Sequence, residues 1–123
     1  MSNELKLNVS VRAEKGSWKF ERSLGQLQVD MANAGEGGYT QNIGTSEEVI
    51  GGLSDVTTFG WALFRNLDAT QYVEIGPESG GSMVSFAKLL AGEFALLPLT
   101  PGITIRAQAN TSAVGLEVHV LER

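Results

Sequence analysis

The sequence predicts an all-β protein, an antiparallel sandwich or barrel, and three observations carry that prediction. Apolar residues recur with a period of two in several segments. Gly, Asn, Asp, Ser and Pro cluster between those segments, where a chain must reverse. No stretch offers the apolar stripe of ten or more residues that a stable amphipathic helix requires.

Taken in order, Leu5, Leu7, Val9 and Val11 alternate with Lys6, Asn8, Ser10 and Arg12, the pattern of a half-buried strand. A short run over residues 18–22 follows, and Leu27, Val29 and Met31 then alternate with Gln26, Gln28 and Asp30. Further short runs cover residues 61–67, 71–75, 83–88 and 93–99. Ile103, Ile105, Ala107 and Ala109 alternate with Thr104, Arg106, Gln108 and Asn110, and Val114, Leu116, Val118 and Val120 face away from Gly115, Glu117 and His119. Turn signals sit at residues 33–38, 51–55, 76–82 and 100–102. The only helical hints, residues 45–50 and 85–91, are too short to count. Eight to ten short strands with little or no helix result, read as one domain over residues 1–123, with residues 1–15 an edge strand or an inter-subunit arm.

Composition narrows the chemistry. A chain of 123 residues buries about two-thirds of its surface on folding, enough for a core without staples. It has no Cys, which excludes disulfides, thiolate nucleophiles and Cys-ligated zinc. Fourteen acids against nine Lys and Arg argue against a phosphate-binding role, so nucleic acid is not an expected partner. No apolar run is long enough to span a bilayer as a helix, and the N-terminus lacks the apolar block of a signal peptide.

Residue by residue, catalysis finds little support, and no enzyme activity, cofactor or metal is expected. His119 is the only histidine and falls on the face opposite Val118 and Val120, the position of a solvated side chain. No G-x-S-x-G elbow presents a serine to it. Glu47, Glu48, Asp68, Glu74, Glu78 and Glu93 are available as a carboxylate pair, yet nothing marks one as buried. The glycine-rich stretches 35–38 and 76–82 lack the Lys-Ser/Thr ending of a phosphate loop and read as strand connections. A sugar-binding face finds its best candidate in Tyr72, flanked by Gln71 and Glu74, because Val73 and Ile75 should point inward.

Two runs break the alternation. Residues 61–67 and 94–99 carry large apolar groups on both faces, whereas an antiparallel sandwich strand keeps one face wet. Either a long loop covers the second face or that face meets another subunit. The interface residues expected on the second reading are Trp61, Leu63, Phe64, Phe94, Leu96, Leu97 and Leu99. Pro98 marks its strand as an edge, or as ending there.

The second half of the chain has a recognisable order. Phe64-Arg-Asn-Leu-Asp-Ala-Thr-Gln-Tyr-Val-Glu-Ile-Gly76 is followed by Phe86-Ala-Lys-Leu-Leu-Ala-Gly-Glu-Phe-Ala-Leu-Leu-Pro-Leu99. Ile103-Thr-Ile-Arg-Ala-Gln-Ala-Asn-Thr111 and Val114-Gly-Leu-Glu-Val-His-Val-Leu-Glu122 complete it, and Gln41-Asn-Ile-Gly-Thr-Ser-Glu-Glu-Val-Ile50 fits the same style. This order resembles the small all-β structural proteins of tailed bacteriophages and prophages, over about two-thirds of the chain. The resemblance implies a jelly-roll-like sandwich, Gly76, Gly92 and Pro98 as turn and edge markers, and Asn66 with Asp68 as a polar cap between two strands. It also implies a passive virion role. That role is capsid decoration (cement) first and a tail or fibre component second, with self-association as a trimer on the major capsid protein or tail proteins. Such a protein is made in the host bacterial cytoplasm. A carbohydrate-binding, lectin-like module through Tyr72, Gln71 and Glu74 is the competing class.

Overall fold

The computed structural model describes residues 4–31 and 34–122, and among these there is no helix. Two strands open the chain, β1 (Leu5–Lys15) and β2 (Trp18–Val29). Ten more follow: β3 (Glu36–Gly37), β4 (Thr40–Ile43), β5 (Glu48–Val49), β6 (Phe59–Asn66), β7 (Val73–Ser79), β8 (Ser82–Met83), β9 (Ala87–Leu89), β10 (Phe94–Pro98), β11 (Ile105–Ala109) and β12 (Val114–Glu122). The two short helical hints are strands here, β5 and β9. The glycine stretch read as a connection contains β3, whose Gly37 packs so closely on Val56 that a Cβ there would lie 2.8 Å from its Cγ2.

Contacts within the chain group into two compact units, Met1–Ala32 and Asn33–Arg123. In the first, β1 and β2 pair only with each other, through a two-residue turn at Gly16-Ser17 in which Gly16 has φ of 60°. Leu5 faces Val29, Leu7 faces Leu27 and Ala13 faces Phe20, so the apolar residues of both strands share one side. Lys6, Arg12, Glu14, Lys19 and Glu21 take the other side, where Lys19 and Glu14 approach to 3.4 Å. The apolar residues of β2 change parity, from 18 and 20 to 27 and 29, and still share that side. Ser10 faces Ser23 and Asn8 faces Gln26, so β2 spends one extra residue in a bulge around Gly25, which has φ of 68°.

The second unit is a sandwich of two sheets. One runs β10-β6-β12-β3 with β4 also on β12, and the other runs β5-β11-β7-β8 with β9 also on β7, all antiparallel. Eight strands carry the topology: β4-β12-β6-β10 in one sheet, β5-β11-β7-β9 in the other. Successive strands change sheet at every step except from β7 to β9, which is the wrapping of a jelly roll. Between the sheets lies one buried cluster. Phe64, Ala62, Leu116, Val118 and Val120 come from the first sheet, and Val73, Ile75, Leu89, Ile105 and Ala107 from the second. Every buried member lies between Ile43 and Val120, and β12 alternates buried and half-buried over its whole length, as its period-two pattern requires.

Two polar groups are buried with this cluster. Asn66, with no exposed surface, donates from Nδ2 to the carbonyls of Gln71 (2.8 Å) and Leu89 (3.0 Å), and its Oδ1 accepts from the Asp68 amide at 2.8 Å. Asp68 in turn accepts from the amides of Thr70 (2.9 Å) and Gln71 (2.7 Å), closing the crossover from β6 to β7. Those backbone amides hold its carboxyl below the ordinary value of 3.8. Glu122 ends β12 by accepting from the amides of Thr57 (3.0 Å) and Thr58 (2.6 Å).

Gly76 is not a turn. It lies inside β7, where the chain passes over it, and a Cβ there would come within 2.0 Å of the Val84 carbonyl oxygen. The turn falls later, at Gly80-Gly81, both with positive φ as a tight hairpin demands.

Replacing Asn66 with Ala leaves two buried carbonyls and one amide unmatched. Urea unfolding of Asn66→Ala is expected to show a loss of about 2–4 kcal/mol, and a loss within experimental error would remove Asn66 from this role. The depressed Asp68 contributes stability that is fully present above 3.8 and lost as pH falls through its lower folded-state value. Stability measured across that acid range should therefore depend less steeply on pH in Asp68→Asn than in the parent chain.

Candidate assembly interface

The two outer faces of the sandwich differ in chemistry. On the β5-β11-β7 sheet the central outward positions are polar: Arg106 binds Glu78 at 2.6 Å, Glu74 faces Lys88 across the β7–β9 pair, and Gln108 donates to the Thr45 carbonyl. Exposed Val49 opposite Arg106 and exposed Phe86 beside β9 are single apolar residues at the margins. On the β10-β6-β12 sheet they are largely apolar. Leu63 of β6 sits between Leu96 of β10 and His119 of β12, Trp61 lies opposite Pro98, and Phe94 lies opposite Arg65. Phe94 is 62% exposed, and Leu63, Arg65 and Gly92 line a shallow concavity beside it.

This register explains the two-faced runs and divides the seven expected interface residues. Trp61, Leu63, Phe94 and Leu96 share the outer face. Phe64 and Leu99 do not: at 1% and 6% exposure both are core, because Phe64 pairs with inward Ala95 and Val118 while Leu99 continues past the edge strand into the cluster. Leu97 pairs with Ala62 and packs partly buried against the same cluster, so it too belongs to the inner side. Pro98 occupies the last position of β10, an edge strand, where its missing N–H costs no ladder bond in the interior of the sheet.

Charged groups frame the apolar strip. His119 stands on the outer face with Nε2 2.9 Å from Glu117 and Nδ1 3.7 Å from Glu36, so it is clasped by two carboxylates as well as reached by solvent. The Glu117 partner was legible and missed: residues i and i+2 of a strand share a face. Glu36 comes from β3, which pairs with β12, and no sequence spacing announces it.

The other candidate residues are engaged within the chain. Lys88 Nζ lies over the Tyr72 ring, 4.1 Å from its centre, and so occupies one of the two ring faces on which a sugar could stack. Gln71 Oε1 accepts from Thr111 Oγ1 at 2.6 Å, and Glu74 accepts from Ser85 Oγ at 2.9 Å. Among the carboxylates, Glu47 accepts from the Met83 amide, Glu48 from the Gly44 amide and Glu93 from the Leu90 amide. With Asp68, Glu74 and Glu78, all six carboxylates considered for catalysis thus hold turns or strands of their own chain. Among the described residues no cluster of three or more His, Cys, Asp or Glu is arranged to hold a metal ion. Among the described residues no helix is long and apolar enough to cross a membrane.

Compared with known protein families, curated protein sequences and solved structures, the chain matches none of them.

Proposed function

We propose that this chain is a non-enzymatic structural protein that works by assembly, burying the outer face of its β10-β6-β12 sheet against further copies of itself. The observation that carries the reading is the asymmetry of the sandwich. One outer face centres on charged and amide side chains, with Val49 and Phe86 exposed singly at its margins. The other presents a continuous apolar row across paired strands: half-buried Trp61, Leu63 and Leu96 with the largely exposed Phe94. Apolar surface concentrated on one face is what an association surface requires.

The particular role is capsid decoration on a tailed-phage particle, as a trimer seated on the major capsid protein. A tail or fibre position is the second choice. The sequence pattern over residues 41–122 supports this, as does the jelly-roll wrapping that it implies. A protein of this kind acts by linkage: it binds the assembled lattice and not the dispersed subunits, so the lattice gains the binding free energy. The net charge of −5 suits attachment to a basic lattice surface and disfavours contact with packaged DNA.

The first test is the native mass of the full chain by light scattering. A trimer is expected, and Phe94→Glu, an exposed change outside the core, should lower the mass to that of a monomer. That monomer should keep the parent's far-UV spectrum and a cooperative unfolding transition, its midpoint now independent of chain concentration. A monomeric parent chain, or an oligomer indifferent to Phe94→Glu, would overturn this reading.

A further inference from the structure

The β1–β2 hairpin carries a row of exposed apolar side chains along one side. Trp18 is 58% exposed, Phe20 45%, Val11 49%, Leu24 58% and Leu27 48%, and the Trp18 and Phe20 rings stack on each other at 6.4 Å. Aromatic side chains bury 150–250 Å² when covered, so these two alone leave on the order of 200 Å² in water. A lone two-stranded ribbon is marginal in water, and this one has a covering layer for neither strand within its own unit.

Charge selects what covers it. The segment Met1–Ala32 holds five of the nine Lys and Arg (Lys6, Arg12, Lys15, Lys19, Arg22) against four acids (Glu4, Glu14, Glu21, Asp30), an excess of one positive charge. The segment Asn33–Arg123 holds the other ten acids and four cations, an excess of six negative charges. On the apolar side of the hairpin the only charged groups are cations, Arg22 opposite Val11 and Lys15 opposite Trp18. Two such sides laid together would oppose like charges. The apolar face of the sandwich instead carries the carboxylates of Glu117 and Glu36 against the single Arg65.

From this we infer that the hairpin is an exchange arm, whose apolar side covers the outer face of the β10-β6-β12 sheet in a second copy of the chain. This rests on the self-association proposed above and names the element that buries the face. The dimensions agree: β1, at about 3.3 Å per residue, is about 36 Å long, enough to run the length of β6. The hairpin then forms a third layer at the usual sheet spacing of about 10 Å. An arm on a face is a head-to-tail contact, which builds a ring where its rotation closes and a filament where it does not; three copies make the smallest ring without reciprocal exchange, the state expected here.

The lack of cysteine makes the contact testable on the full chain. Phe20→Cys and Leu96→Cys, each carrying a single thiol, are co-produced with different tags and mildly oxidised. The expected product is a mixed disulfide dimer, at least about tenfold more abundant than with Glu21→Cys, whose side chain lies on the charged side of the ribbon. Arg22→Glu in the Phe20→Cys chain should lower the yield. Equal yields from Phe20→Cys and Glu21→Cys would overturn the arm. So would a Leu96→Cys dimer forming only with itself while the native mass stays oligomeric, an outcome that leaves self-association standing. A monomeric mass with no mixed dimer would overturn both.

Discussion

The Asn66 carboxamide is the point at which the two sheets are tied. β6 belongs to one sheet and β7 to the other, and a crossover between layers leaves backbone carbonyls facing a dry interior. A side chain with two donors and an acceptor meets that need: Nδ2 reaches the Gln71 carbonyl before β7 and the Leu89 carbonyl at the end of β9, while Oδ1 holds the Asp68 amide. Asp68 then fixes the following turn. With this corner set, β7 is aligned so that Val73 and Ile75 meet Ala109 and Ala107, and the cluster around Phe64 closes. No apolar residue of similar size could replace Asn66, since each carbonyl left bare costs more than the added burial returns.

Much of this was legible from alternation. The strands β11 and β12 follow their period-two patterns residue by residue, and Pro98 marks the end of an edge strand. The two-faced runs also declared themselves, since no arrangement buries both sides of β6 within one sandwich. What a single sequence could not supply was register. Phe64 and Phe94 look alike in composition, yet pairing puts the first at the centre of the core and the second on the outer edge. Nor could spacing show that Lys88, sixteen positions from Tyr72, would cover its ring. The bulge in β2 was hidden for a different reason. A change of parity reads as two separate strands unless a glycine with positive φ is known to absorb the extra residue.

The two units solve the problem of a second face in opposite ways. In the sandwich, carboxylates that could have served chemistry accept from backbone amides, so their hydrogen-bonding capacity is engaged within the chain. The hairpin satisfies its charged side by cross-strand pairing and leaves its apolar side open. Polar groups thus finish surfaces where the chain is complete, and apolar groups mark those where it is not.

The contrast in connectivity carries over to time. The hairpin joins neighbours in sequence through a two-residue turn, and such pairs close in about 1–10 μs. The jelly roll must bring β4 to β12 and β6 to β12 before its core exists, and non-local pairings of this sort take about milliseconds to seconds. Each new chain therefore displays its stickiest ribbon well before any sandwich face has formed to receive it. Yield of native protein on refolding should consequently be governed by chain concentration during that interval, with dilution favouring the native fold and crowded chains diverted into ribbon-mediated aggregates.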